Sequence, residues 1–234
     1  VSDGGTIGLG GTPGNMTITG TELGNITAGT LNIGNSSTGN ITVDGISAAN
    51  SNNVTTLNLT TASASSVNFS SNASTFHALG VSSGNGITQN VSITTSGVAT
   101  LDADSNDDGS GDFSNTAGTV STGGSALSIT ANDFGLSGAI NTGTGTTTIL
   151  ISDGGSIGLG STAGNMTITG SELGNITAGT LTIGDSTAGA ITVNGITSAN
   201  STNITTVDLN SSSIAFSTGD STFKGLTATA NTGA

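Results

Sequence analysis

The stretch GNMTITGTELGNITAGTLNIGNSSTGNITV, residues 14–43, contains the pattern on which the fold prediction depends. Apolar residues alternate with Thr or Asn at 16–18, 31–33 and 41–43, and clusters of Gly, Asn and Ser separate these pieces. Alternation with a period of two residues between turn residues is typical of β-strands. No 12-residue window has a helical stripe of apolar residues, so we expect an all-β fold.

The same stretch returns later in the chain. Residues 1–50 align without gaps to residues 151–200, with 37 identities in 50 positions. The match continues past a three-residue deletion, which pairs Phe69 with Phe216. Self-similarity over a fixed distance is the signature of a repeat protein.

This repeat gives the expected domain organisation. Residues 1–150 form a first long repeat, and residues 151–234 form a second, truncated copy of it. An acidic, Gly- and Ser-rich loop at 102–124 is expected as an insertion in the first copy. We expect both copies to belong to one continuous solenoid.

A shorter, looser repeat inside the long one indicates how the strands are arranged. Met16, Ile41 and Val67 each begin a strand-like piece, and the two intervals between them differ by a single position. This spacing suits one coil of a β-solenoid with two or three short strands and tight turns. We therefore predict a parallel β-solenoid of about 25 residues per coil.

The composition excludes several classes of protein. Of 234 residues only one is Lys or Arg, and the formal net charge is −13, so phosphate-neutralising clusters are missing and nucleic acid is not an expected partner. The chain has no Cys, which excludes disulfides and thiolate chemistry. Its apolar runs are too short to cross a bilayer, so we expect no membrane insertion.

Three segments of residues 128–197 carry a resemblance to a known family. They are ITANDFGLSGAINTGTG at 129–145, SIGLG at 156–160 and ELGNITAGTLTIG at 172–184. They resemble the repeat regions of filamentous-haemagglutinin-like bacterial exoproteins, exported by two-partner secretion or as autotransporters. The resemblance implies a right-handed parallel β-helix that is extracellular or on the cell surface. It also implies a role as a fibre, adhesin shaft or matrix component.

The segment DADSNDDGSGD, residues 102–112, is the main candidate for metal binding. Alternate oxygen ligands and a glycine at the sharp turn, here Gly109, are the elements of a calcium loop. Asn115 stands where a helix-loop-helix calcium site has a bidentate Glu, which departs from that pattern. The alternative is a solvated acidic loop. No cofactor is required, and the candidate calcium ligands are Asp104, Asn106, Asp108 and Asp112.

Asn-x-Ser/Thr triplets form the second class of candidate site. The chain has 14 of them. On a secreted protein such triplets can accept N-linked glycans. The alternative is that Asn-Ile-Thr simply begins strands in this repeat. The candidate glycosylation sites are Asn15, Asn25, Asn40, Asn165 and Asn175.

Two further pairs of equivalent positions have structural interpretations. His77 is replaced by Lys224 in the second copy, which indicates an exposed cation rather than a ligand or base. Glu22 and Glu172 are lone carboxylates at equivalent positions, which is typical of acceptors for backbone N–H groups at a turn or cap.

Three classes of function follow from these observations. A non-enzymatic structural rod, which associates or continues end to end, needs no site and accounts for the repeats. A carbohydrate-cleaving β-helix enzyme needs a base and cations to hold an acidic sugar, and one Lys cannot supply them, so no enzyme is predicted. The alternatives are a solenoid surface that binds cell-surface glycans or ice, and a calcium-stabilised matrix or surface-layer component.

Overall fold

Parallel strands dominate the structure, a computed structural model that describes Val1 and residues 3–231. The strands pair in register from one stretch of chain to the next within three sheets. This arrangement is consistent with a β-solenoid-like parallel fold, as the spacing of the strand-like pieces predicted. The strands are β1 (Ile7–Gly10), β2 (Met16–Ile18), β3 (Ala28–Gly34), β4 (Ile41–Asp44), β5 (Val54–Thr60), β6 (Val67–Phe69), β7 (Ser74–Phe76), β8 (Ala78–Ser82), β9 (Ile87–Gln89), β10 (Ile93–Thr95), β11 (Ala99–Asp102), β12 (Phe113–Asn115), β13 (Thr119–Ser121), β14 (Leu127–Ala131), β15 (Phe134–Leu136), β16 (Ala139–Asn141), β17 (Thr146–Ile151), β18 (Ile157–Gly160), β19 (Met166–Ile168), β20 (Ile176–Ile183), β21 (Ala190–Asn194), β22 (Ile204–Ser211), β23 (Ser213–Phe216) and β24 (Leu226–Ala230).

Within the described residues, four short helices lie between these strands, a departure from the expected all-β fold. Each has four or five residues, which is too short to give the apolar stripe that marks a helix in a sequence. They are α1 (Gly20–Gly24), α2 (Ala48–Ser51), α3 (Gly170–Gly174) and α4 (Ser198–Ser201). None of the helices in the described part of the chain is long and apolar enough to span a bilayer.

The first sheet has the strand order β15-β12-β9-β6-β4-β1-β2, and a four-stranded sheet has the order β19-β18-β21-β23. Along the first sheet Ile41 pairs with Val67, and Val67 pairs with Ile87, so the second of these coils is shorter than the first. The coil in which Ile149 pairs with Ile183 is longer than both. The single coil length that the sequence predicted is therefore an average over coils of different length.

The largest sheet has 13 strands and curls around a corner. Its long path is β3-β5-β8-β11-β14-β17-β20-β16-β13-β10-β7, and β22 and β24 continue from β20. The corner is β20, in which Ile176 pairs with Ile140 of β16 while Ile183 pairs with Ile149 of β17. The first half of β20 thus continues one wall of the fold, and its second half continues the next wall.

The core is a column of side chains from alternate strand positions. In β4, Ile41 and Val43 are fully buried while Thr42 between them is half-buried, as a pleated strand with one face inward requires. Phe113 and Phe134, on neighbouring strands, stack with their ring centroids 5.7 Å apart. No buried side-chain N or O atom among the described residues lacks a hydrogen-bond partner.

The range 102–124, expected to be one acidic insertion, is only partly irregular. Its second half contains β12, which pairs with β9 and β15, and β13, which pairs with β10 and β16. The irregular segment between β11 and β12 is therefore limited to residues 103–112. The acidic residues of this range lie beside the ladder and leave it uninterrupted.

A tight crossover begins each long repeat. Strand β2 follows β1 after a short loop, residues 11–15, yet it pairs with β1 in parallel on the side away from β4. Parallel neighbours usually need a connection of a dozen or more residues. Here the loop crosses directly over β1, where a methyl group at Gly8 would overlap the carbonyl oxygen of Thr12. The second copy repeats this contact between Gly158 and Thr162.

We predict that Gly158→Ala destabilises the protein, because the added carbon would overlap the backbone of Thr162 and Ala163. Overpacking of this kind costs about 1–3 kcal/mol, which the free energy of unfolding in urea would measure. The control is Gly135→Ala, since a carbon added at Gly135, on an outward strand position, would make only an ordinary contact of 3.8 Å. Equal losses for the two variants would contradict the close crossover.

Candidate functional site

The candidate calcium loop is organised around Asp104, the first of its predicted ligands. The Asp104 side chain is buried, and its carboxylate accepts from the N–H groups of Asp108 at 3.3 Å and Gly109 at 3.1 Å. It also accepts from the hydroxyl of Ser152 at 2.7 Å, 48 residues away. Asp104 therefore ties the acidic segment to the start of the second copy.

The other predicted ligands point in different directions. The amide of Asn106 donates to Asp108 at 2.6 Å, so these two exposed side chains contact each other. The Asp112 carboxylate instead accepts from Asn132 and from the N–H of Asp133, both at 3.1 Å. Among the described residues no three His, Cys, Asp or Glu side chains are grouped so that they could hold a metal ion. Calcium binding by this segment stays a prediction.

Asp102, at the end of β11, has an unusual environment for a carboxylate. Burial raises its pKa, although a hydrogen bond from the N–H of Asp104 opposes this rise. Nearby Asp107 and Asp104 raise the pKa further through charge repulsion. Negative charge at the start of the acidic segment is thus disfavoured by the fold.

We predict that Asp104→Ala lowers stability by about 1–3 kcal/mol whether or not calcium is present, because Gly109 N–H and the Ser152 hydroxyl lose their acceptor. Thermal melting in calcium and in a chelator would measure both effects. The exposed Ser105→Ala is the control. If the segment binds calcium, the ion raises the melting temperature of the wild type and Asp108→Ala abolishes that rise. An unchanged calcium response in Asp108→Ala would end the calcium hypothesis.

A second acidic site lies at the junction between the two copies. Strands β15 and β19 belong to different sheets, and carboxylates take the place of backbone partners between them. The Asp133 carboxylate accepts from the N–H of Thr167 at 2.9 Å. In the opposite direction, Glu172 accepts from the N–H of Leu136 at 3.0 Å. We call this arrangement of Asp133, Leu136, Thr167 and Glu172 the carboxylate junction.

Besides accepting from Leu136, Glu172 caps a helix. Its Oε2 accepts from the N–H and the hydroxyl of Thr169, both at 2.8 Å, in the capping box of α3. Glu22 makes the same capping box with Thr19 at the start of α1. Hydrogen bonds from the Thr19 backbone and side chain lower the pKa of Glu22. The prediction that both glutamates accept backbone N–H groups is confirmed.

The junction borders an open groove on the outer face of the protein. The groove has a volume of about 350 Å³ and passes over Gly135, which has no side chain to fill it. Its lining includes Asp112, Asp133, Glu172 and Thr169, with hydroxyl and carboxylate groups on both sides. These carboxylates are already hydrogen-bonded to backbone N–H groups, so their geometry is explained by the joining of coils.

The two copies differ at the carboxylate junction, and this difference gives a test. We predict that Glu172→Ala costs about 1–3 kcal/mol more than Glu22→Ala, because only Glu172 supplies the acceptor for the buried Leu136. Both variants lose the same capping box, so each serves as the control for the other. Urea unfolding of the two variants would measure the difference. Equal losses would show that the bond to Leu136 contributes nothing.

The remaining candidate residues lie on the surface. His77 and Lys224 are exposed, as their exchange between copies predicted, and His77 Nδ1 lies 3.0 Å from the carbonyl oxygen of Thr55. The five candidate glycosylation sites, Asn15, Asn25, Asn40, Asn165 and Asn175, are also exposed.

Several of these Asn side chains also stabilise local structure. Asn15 and Asn165 accept hydrogen bonds from Thr6 and Ser156, which lie just before the crossovers. Asn40 accepts from the N–H of Ser66 on the next coil at 2.9 Å. These bonds give a structural reason for the recurring Asn. Glycosylation itself stays a prediction.

Comparison of the chain with protein-family models, with curated proteins and with solved structures gives no match.

Proposed function

We propose that the chain is a non-enzymatic structural rod, part of a secreted or cell-surface bacterial fibre or adhesin. In this proposal the parallel sheets wind as a right-handed β-helix, and the rod continues or associates end to end. In this proposal, the rod requires neither calcium nor cell-surface glycans. The proposal rests on the family resemblance for location and handedness, and on the ladder between the copies for the mechanical role.

The observation that carries the proposal is the continuity of the largest sheet across the junction. Ile129 of the first copy pairs with Ile149, and Ile149 pairs with Ile183 of the second copy. The register and the buried Ile column therefore pass from one copy to the next as they do between coils inside a copy. Each added copy can lengthen such a structure without any new kind of contact.

The outward faces support a mechanical role better than recognition of a regular lattice. Along the largest sheet one outward position is occupied in turn by Asn32, Asn58, Gly80 and Thr100. An ice-binding surface needs the same short side chain at every coil, and this sequence of residues varies. A groove of about 410 Å³ lies over Gly80, with the polar Asn58 and Asp102 and the apolar Val98 in its lining. In the alternative function, this groove is where a cell-surface glycan would bind.

The proposal predicts that the length of the molecule is proportional to the number of repeats. Along one wall of the largest sheet, the first copy contributes six successive strands, β3, β5, β8, β11, β14 and β17. At about 4.8 Å per strand, one more copy of residues 1–150 placed before Val1 should lengthen the particle by about 29 Å at constant cross-section. Small-angle X-ray scattering of monomeric protein would measure both dimensions. Growth in all directions would contradict the rod.

A further inference from the structure

The first described coil has a partly exposed apolar surface on the side that faces away from the second coil. This surface is formed by β2, α1 and β3. We call it the N-terminal face. Met16 is 37% exposed, whereas its equivalent Met166 is 0% exposed. Ile18 and Leu31 are likewise half-buried, although both equivalents in the second copy are fully buried. The second copy thus contains the same surface in a covered state.

In the second copy, the covering element is a preceding coil. Strand β20 pairs with β16 and β17 of that coil, and Glu172 accepts from Leu136 at the carboxylate junction. The equivalent Glu22 is exposed. In the second copy, a strand edge, apolar side chains and a carboxylate hold the preceding coil in place. The N-terminal face has the equivalents of all three.

The last described coil, with β23 and β24, ends in a second surface of this kind. We call it the C-terminal face. Phe216 is 53% exposed, whereas its equivalent Phe69 is 0% exposed, and Leu226 is exposed where Leu79 is buried. In the first copy, β9 and β11 of the next coil cover these positions by pairing with β6 and β8.

The two faces match in register. Phe216 pairs with Val193. Val193 is equivalent to Val43 of the first copy, and Val43 lies in one column with Leu9 and Ile18. Placed one rung beyond the C-terminal face of another molecule, the N-terminal face would set Ile18 over Phe216. In the largest sheet, Leu226 pairs with Val207, which pairs with Leu181, the equivalent of Leu31. Leu31 would thus lie over Leu226.

We propose that the N-terminal face binds the C-terminal face of a second copy of this chain, through parallel strand addition of β3 to β24. The proposal rests on the proposed function and specifies its end-to-end contact. Because the two faces differ, the contact is heterologous and repeats without closing, so it builds a filament rather than a dimer. The added strand pairing and apolar contacts are those of β-augmentation.

Complementation of two blocked variants tests this contact. Met16→Asp blocks the N-terminal face, and Phe216→Asp blocks the C-terminal face; both residues are exposed, so the fold should persist, which circular dichroism would verify. In sedimentation velocity, the wild-type mass should rise with concentration, and each variant alone should stay monomeric. An equimolar mixture should give dimers and nothing larger, because one intact face of each kind remains.

Val98→Asp is the matched control, since Val98 is 54% exposed but lies away from both ends. It should associate like the wild type. Dimers of Phe216→Asp alone would mean contact between two N-terminal faces and would overturn the proposal.

A monomeric wild type, or a mixture that stays monomeric, would also overturn it. The structural rod is tested separately, because the length of the extended chain is measured on monomers. A chain that lengthens with added repeats but never associates would therefore retain the proposed function and lose this contact.

Discussion

The structure depends on hydrogen bonds between strands of successive coils. A short strand such as β6, with three residues, cannot be stable alone, because its N–H and C=O groups need partners on both sides. In-register parallel pairing supplies those partners and at the same time places Ile, Val, Leu or Phe over one another in the core. A chain with only 32% hydrophobic residues can form a continuous core in this way, since each coil contributes a few inward side chains to one narrow column.

The strands follow from the alternation of residues, which predicted pieces such as 16–18 and 41–43 well. Their parallel pairing was predicted from the spacing of these pieces. The pattern could not predict α1 and α3, because a single turn of helix is defined by its capping residues. It also missed the crossover at β1 and β2. That feature depends on a loop packing against Gly8, and nothing in the local pattern distinguishes this glycine from those in turns.

The candidate sites were predictable by residue type but not by contact. The spacing of acids at 102–112 suggested a shared ligand, yet Asp104 and Asp112 bond to Ser152 and Asp133 on other coils. The carboxylate junction joins Leu136 to Glu172, 36 residues apart, and no motif that contains either residue predicts that the two meet. Such contacts are set by which coils become neighbours, so they require the register of the whole ladder.

The crossover has a consequence for any long assembly. It adds β1 and β18 to the wall that contains β4 and β21, so this wall has eleven strands where the wall of β3 and β24 has nine. The wall of β4 and β21 is therefore taller than the wall of β3 and β24 by one strand at the start of every long repeat. A fibre of many repeats would curve toward its short side at regular intervals and follow a wide spiral.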